Sequence, residues 1–236
     1  MTPSPQAAAL PTFQSSRLLG HRYNRLLLLL LWLALIGYAV LLAPPPNHDL
    51  TQRLIHATLT MQYDGIDPAI MAVWNLLGLV PLLYASLLLP MSRWQRVPAW
   101  PFLVLMLALG GFVMVPYLLL RSEQPTVQRS LSWPARVLQS RPMAWLLVVG
   151  IVAMLALLLL RGSASAYLTA YHSSALIAVM SWDLVLCAIV LPYVALEASR
   201  CQTANRAEPA WATLLLCVPL LGPALWNAVA RRPVVD

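Results

Sequence analysis

Six apolar stretches, each near the roughly twenty residues a helix needs to cross a hydrocarbon core about 30 Å thick, leave this chain almost no choice of fold class. They run from Leu26 to Ala43, Ile70 to Leu89, Trp100 to Arg121, Ala144 to Leu160, Ala175 to Leu196 and Ala210 to Ala230. Backbone in lipid must satisfy its own hydrogen bonds, so each stretch is expected to be a helix. The expected fold is therefore all-α: a polytopic membrane protein of six transmembrane helices. Residues 1–20, rich in Pro, Ser, Gln and Ala, read as a disordered tail. Residues 21–121 form a first half of three spans, 122–143 an amphipathic connector and 144–236 a second half of three spans. The first apolar run exceeds the h-region of a signal peptide and ends in Pro44-Pro45-Pro46 without a small-x-small site, so it is expected to be a retained anchor.

Composition then removes whole classes of function. The 236 residues are 60% apolar and 10% charged, against about 25% charged in a soluble domain. All fifteen basic residues are arginine, which excludes a Schiff-base lysine and a Walker A lysine. Neither HExxH nor GxSxG occurs, no span holds paired carboxylates, and no enzymatic activity is expected. The net charge of +7 comes from arginines beside the ends of apolar runs, which suits anionic lipid head groups and not nucleic acid. Cys187 and Cys217 fall in expected spans and Cys201 in an expected loop, with no metal or redox spacing. No metal is expected, and the sequence designates no cofactor.

Two stretches about 110 residues apart repeat an order of landmarks. The first is Trp74-Asn75-Leu76, Tyr84, Arg93 and Arg96, Pro98-Ala99-Trp100, then Arg121. The second is Trp182-Asp183-Leu184, Tyr193, Arg200 and Arg206, Pro209-Ala210-Trp211, then Arg231. Duplication explains this, and so does convergence, since proline before a first helical turn and tryptophan at head-group level are favourable separately. With three spans per half the repeat would be inverted, as in many secondary transporters. Its charge count is indecisive: with the N-terminus inside, eight arginines fall inside and seven outside.

Asp183 is the only acidic residue well inside an expected span, so it should face a neighbouring helix or water and have a partner. Either it is tied to a donor across the bundle and fixes helix register, or it couples a proton or ion. Asn75, its counterpart in the repeat, offers the same acceptor oxygen without ionising. His56 and His172 fall at expected interfaces, where neutral imidazole can ligate a pigment or haem but is more often structural. In the connector, Trp133 lies among Arg129, Arg136 and Arg141, the pattern of a helix on anionic lipid with its indole buried; a partner surface is the alternative. Pro81, Pro116, Pro192, Pro219 and Pro223 interrupt the spans and are consistent with a bent, cavity-lining bundle.

The segments Asp67-Pro68-Ala69-Ile70, Trp74-Asn75-Leu76-Leu77-Gly78-Leu79, Leu87-Leu88-Leu89-Pro90 and Pro116-Tyr117-Leu118-Leu119-Leu120-Arg121 resemble an uncharacterised family of multi-pass membrane proteins of cyanobacteria and chloroplasts. Met180-Ser181-Trp182-Asp183-Leu184 and Pro219-Leu220-Leu221-Gly222-Pro223-Ala224-Leu225-Trp226 fit the same pattern. The resemblance spans roughly 67–232 and implies a thylakoid or plasma membrane with no established activity. The family's acidic pair is replaced here by Ala198-Ser199. The expected function is a non-catalytic accessory or assembly component of a membrane complex, with lipid and that complex as partners. A small-solute or proton-coupled transporter is the alternative.

Overall fold

The computed structural model describes residues 21–92, 95–121, 133–202 and 218–229, and among these every regular element is helical. Helix α1 (His21–Gly37) continues through a π-helical turn to Leu42; α2 is His48–Thr60, α3 Pro68–Ser92, α4 Trp100–Leu109 and α5 Gly111–Leu120. They are followed by α6 (Trp133–Leu138), α7 (Arg141–Arg161), α8 (Ala164–Ser173), α9 (Ala175–Gln202) and α10 (Leu221–Val229). Four helical stretches are long and apolar enough to cross a membrane: Asn24–Leu42, Pro68–Ser92, Arg141–Arg161 and Ala175–Ser199.

The helix boundaries follow from local chemistry. Asn47 accepts the Leu50 N–H at 3.0 Å and starts α2, while Ser140 and Ser163 cap α7 and α8 by bonds from Met143 and Ala166. Between the first two long stretches lie α2 and a turn at Asp64-Gly65, where Gly65 has a φ of +75°. Asp67 then accepts the Ala69 N–H at 2.8 Å, with Pro68 at the first helical position of α3.

Contacts between elements fix their directions. At one end, Asp67 meets the Ser163 N–H at 3.4 Å, the Ala175 N–H donates to Pro45 at 3.3 Å, and Tyr38 shares a 2.8 Å hydroxyl bond with Tyr171. This collar end therefore holds the close of α1, the start of α3, the close of α7, the start of α9, and both short helices α2 and α8. At the opposite, arginine end, Arg25 Nη2 donates to the Arg121 carbonyl at 3.0 Å, and Arg121 pairs with Glu197. Helices α1 and α7 thus run toward the collar, and α3 and α9 run back from it. The most enclosed of the four is α3, packed by α4, α7 and α9.

The expected third crossing does not form as one rod. Residues Trp100 to Arg121 break at Gly110 (φ +52°, ψ −134°) into two helices of ten residues each. The Phe102 and Tyr117 rings pack at a tilt of 40° with centroids 5.0 Å apart, whereas residues so spaced on one helix would be about 22 Å apart. Helices α4 and α5 are therefore an antiparallel hairpin. Its closed tip meets α9 at Asp183 and its open end is at Arg121. Each arm is about 15 Å long, half the thickness of a hydrocarbon core. Leucine and valine made the stretch look continuous, but a φ this far positive suits glycine and stops the helix.

Other expectations fare unevenly. Helix α9 outruns its expected end by a turn and more, which puts Cys201 in helix and not in a loop. Of the expected sixth span, only Leu221–Val229 is a described helix; 203–217 and Ala230 lie outside the described residues, as do the tail and most of the connector.

Candidate functional site

Asp183 sits on α9 between Trp182 and Leu184, and it is 5% exposed. Its Oδ1 accepts the backbone N–H of Gly111 at 2.7 Å. That N–H belongs to the first residue of α5, where no intrahelical acceptor exists and the helix dipole favours negative charge. The carboxylate therefore caps a helix start from a different helix, in a buried position. A Cβ on Gly110 would overlap Asp183 Oδ2, and one on Gly111 would lie 2.8 Å from Oδ1 and 3.1 Å from Leu186. Both glycines are thus needed for the carboxylate to reach the turn. One turn further along α9, the Cys187 carbonyl accepts the Tyr84 hydroxyl at 2.9 Å, tying α3 to the same layer.

Asn75 does not share this role. It is half-buried, and its Nδ2 donates to the Met71 carbonyl on its own helix at 2.8 Å. The neighbouring tryptophans do correspond. Trp74 Nε1 donates to Thr58 Oγ1 of α2 at 2.7 Å, and Trp182 Nε1 donates to the Tyr171 hydroxyl of α8 at 2.8 Å. Each half so pins its collar helix with an indole. Tyr167 of α8 bonds Ser181 at 2.5 Å, and burial pushes its phenol above the ordinary range.

His56 is exposed on α2, and His172 is exposed at the close of α8, edge-on to Tyr171 with centroids 5.2 Å apart. They stand on separate collar helices, and among the described residues no three His, Cys, Asp or Glu side chains gather as metal ligands. Arg136 and Arg141 are exposed at the arginine end, while Arg129 and the side chain of Trp133 lie outside the described residues. Two open clefts lie at the collar, one of about 390 Å³ lined by Pro45 to Asp49 and Ser173, the other of about 350 Å³ lined by Arg53, His56, Gln62 and Asp64. Neither includes Asp183.

Sequence reasoning missed the ion pair at the open end of the hairpin. Arg121 Nη1 and Nη2 meet the two oxygens of Glu197 at 2.9 and 3.3 Å, the paired geometry a guanidinium fork favours. The signal was in plain view, since both residues close an apolar run. Trp32 Nε1 donates to the Phe112 carbonyl at 2.9 Å, so α5 is fastened at its tip by Asp183 and Trp32 and at its base by Arg25 and Glu197. Chemically this is a set of clasps: among the described residues the groups near Asp183 that could act as nucleophile or base are the buried Cys187 thiol and the Tyr84 hydroxyl, and the latter is spent on the Cys187 carbonyl. No family model, no curated protein and no solved structure matches the chain.

Proposed function

We propose that the chain is a non-catalytic integral membrane protein, an accessory or assembly component of a membrane complex. One observation carries this: the carboxylate inside the bundle is taken up in capping a helix break, and neither cleft reaches it. A group that must carry a proton or ion between two sides needs water or a path on each. Placement in a photosynthetic membrane rests on the family resemblance alone.

The proposal includes a topology of four crossings with re-entrant arms, in place of six crossings. Supporting it, Arg22, Arg25, Arg96, Arg121, Arg136, Arg141 and Arg200 belong to the arginine end, and only Arg53 and Arg161 to the collar; the other arginines lie outside the described residues. Seven against two is the bias expected when the arginine end faces the cytoplasm or stroma, whereas six crossings left no bias. The repeat in this topology is direct and not inverted. Each half has a long helix, a collar helix, a second long helix and then an arm that starts just after a positive-φ residue, Gly110 (+52°) or Leu220 (+59°). Helix α5 packs on α1 and α9, and α10 packs on α7, α9 and α3.

Transport is the second reading, favoured by the start of α5 lying deep in the bundle, an arrangement transporters use to meet anionic groups. Asp183→Asn separates the two. Asparagine keeps the acceptor for Gly111, so an accessory protein should accumulate and co-purify with its complex as wild type does. A proton-coupled carrier should lose flux in reconstituted vesicles. Asp183→Ala leaves the Gly111 N–H without an acceptor and should cost about 1–3 kcal/mol in detergent unfolding. Wild-type flux that Asp183→Asn abolishes would overturn the accessory reading.

A further inference from the structure

The close of α1 meets α8 and α9 in a polar cluster that the bundle does not use up. Tyr38, the first residue of the π-helical turn, shares its 2.8 Å hydroxyl bond with Tyr171, and Tyr171 also accepts the Trp182 Nε1–H at 2.8 Å. The three side chains bring two O–H donors and one N–H donor, and outside the cluster they have no partner among the described residues. Whichever way the Tyr38–Tyr171 bond runs, one hydroxyl proton is left over. It is that of Tyr38 when Tyr171 donates, and that of Tyr171 when Tyr38 donates.

The spare proton lies below the collar, beside an apolar face. Both ends of α8 are at collar level, Ser163 on Asp67 and Ala175, just past the other end, on Pro45. Tyr171 therefore reaches down the bundle to Trp182, which is about 10 Å along α9 from its start. Trp182 is 48% exposed, and it shares its outward face with Val185 and Ile189, 45% and 56% exposed. Hydrocarbon offers the proton no acceptor. The acyl ester of a glycerolipid does, since its carbonyl oxygen sits at the border of the hydrocarbon, where tyrosine and tryptophan rings also settle. We propose that Tyr38, Tyr171 and Trp182 form a seat for one glycerolipid, the spare hydroxyl donating to an ester carbonyl and the acyl chain lying along Val185 and Ile189. Its head group then falls toward the collar cleft of Pro45 to Asp49 and Ser173, whose lining includes Asp49 and no arginine and so suits a zwitterionic head group better than an anionic one. The seat requires α9 to cross the membrane and is independent of the accessory-component reading.

The test offers the delipidated full chain, in detergent, diacyl phosphatidylcholine or its dialkyl ether analogue, which has the same head group and chains but no ester carbonyl. Native mass spectrometry should show one diacyl lipid per chain, held about tenfold more tightly than the ether lipid. The variant Tyr38→Phe/Tyr171→Phe/Trp182→Phe keeps an aromatic ring at each position and removes all three donors, so it should bind both lipids equally. Benzoylphenylalanine at Ile189 reads the same preference without touching the cluster: photo-adducts should be about tenfold more abundant with the diacyl lipid. At Leu30, exposed on α1, the two lipids should react equally. Equal binding of both lipids by the wild type, a preference that survives in the triple variant, or equal adduct yields at Ile189 would each overturn the seat. An isoprenoid quinone retained from the native membrane in place of a diacyl lipid would overturn the glycerolipid as its occupant.

Discussion

Replacing Gly110 with alanine is expected to destabilise the detergent-solubilised protein by about 3 kcal/mol, and replacing it with leucine to abolish accumulation of folded protein. Two costs combine. A non-glycine residue at φ +52° and ψ −134° is strained by about 1–3 kcal/mol. Its Cβ also overlaps Asp183 Oδ2, and forced overpacking adds about 1–3 kcal/mol. The second variant Gly110→Ala/Asp183→Ala separates them: truncating Asp183 relieves the overlap but not the strain, so the two losses should be less than additive. Gly78 on α3 supplies the control, since a Cβ there meets nothing within 4 Å. Gly78→Ala should be neutral, or stabilise by up to about 1 kcal/mol. Thermal unfolding and the monodisperse gel-filtration peak read all of these.

Glu197→Ala carries the second large effect. Arg121 is 8% exposed at its side chain and Glu197 39%, so removing the carboxylate strands a buried guanidinium at the base of α5. Breaking a fully buried pair costs about 3–5 kcal/mol, and the exposure of Glu197 reduces this to about 2 kcal/mol. The Arg121→Ala/Glu197→Ala double variant should lose less than the sum of the single variants. Arg121→Lys should recover little, because one ammonium cannot span both carboxylate oxygens and also leaves the fork that holds them. Equal stability of Glu197→Ala and wild type would show the pair to be idle.

The class of fold was legible because hydropathy reports the solvent each segment meets, and in lipid that solvent permits helices. Where a segment turns back was not legible from hydropathy. Trp100–Leu109 and Gly111–Leu120 are as oily together as one span would be, and the information sat in a single dihedral at Gly110. The Gly110-Gly111 pair is visible in the sequence, yet glycine is common in membrane helices and does not announce a turn by itself. Asp183 stood out as a lone acid that must have a partner. Its partner proved to be a backbone N–H, which no side-chain pattern encodes. The landmarks of the repeat split in the same manner: Trp74 and Trp182 do matching work on α2 and α8, while Asn75 and Asp183 do not. Arg121 and Glu197 were seen only as span ends, because sequence spacing says nothing of which ends meet.

Whether Trp100–Arg121 turns back or crosses is decided most directly by sided labelling of single cysteines in sealed vesicles. The background replaces Cys187, Cys201 and Cys217 with alanine, and the probes are Thr60→Cys, Arg96→Cys, Val137→Cys and Ser165→Cys. A membrane-impermeant maleimide should label positions 96 and 137 from one side, and positions 60 and 165 from the other. Labelling of 96 and 137 from opposite sides, with 60 and 165 likewise split, would mean that the stretch crosses the membrane and that the re-entrant hairpin is wrong.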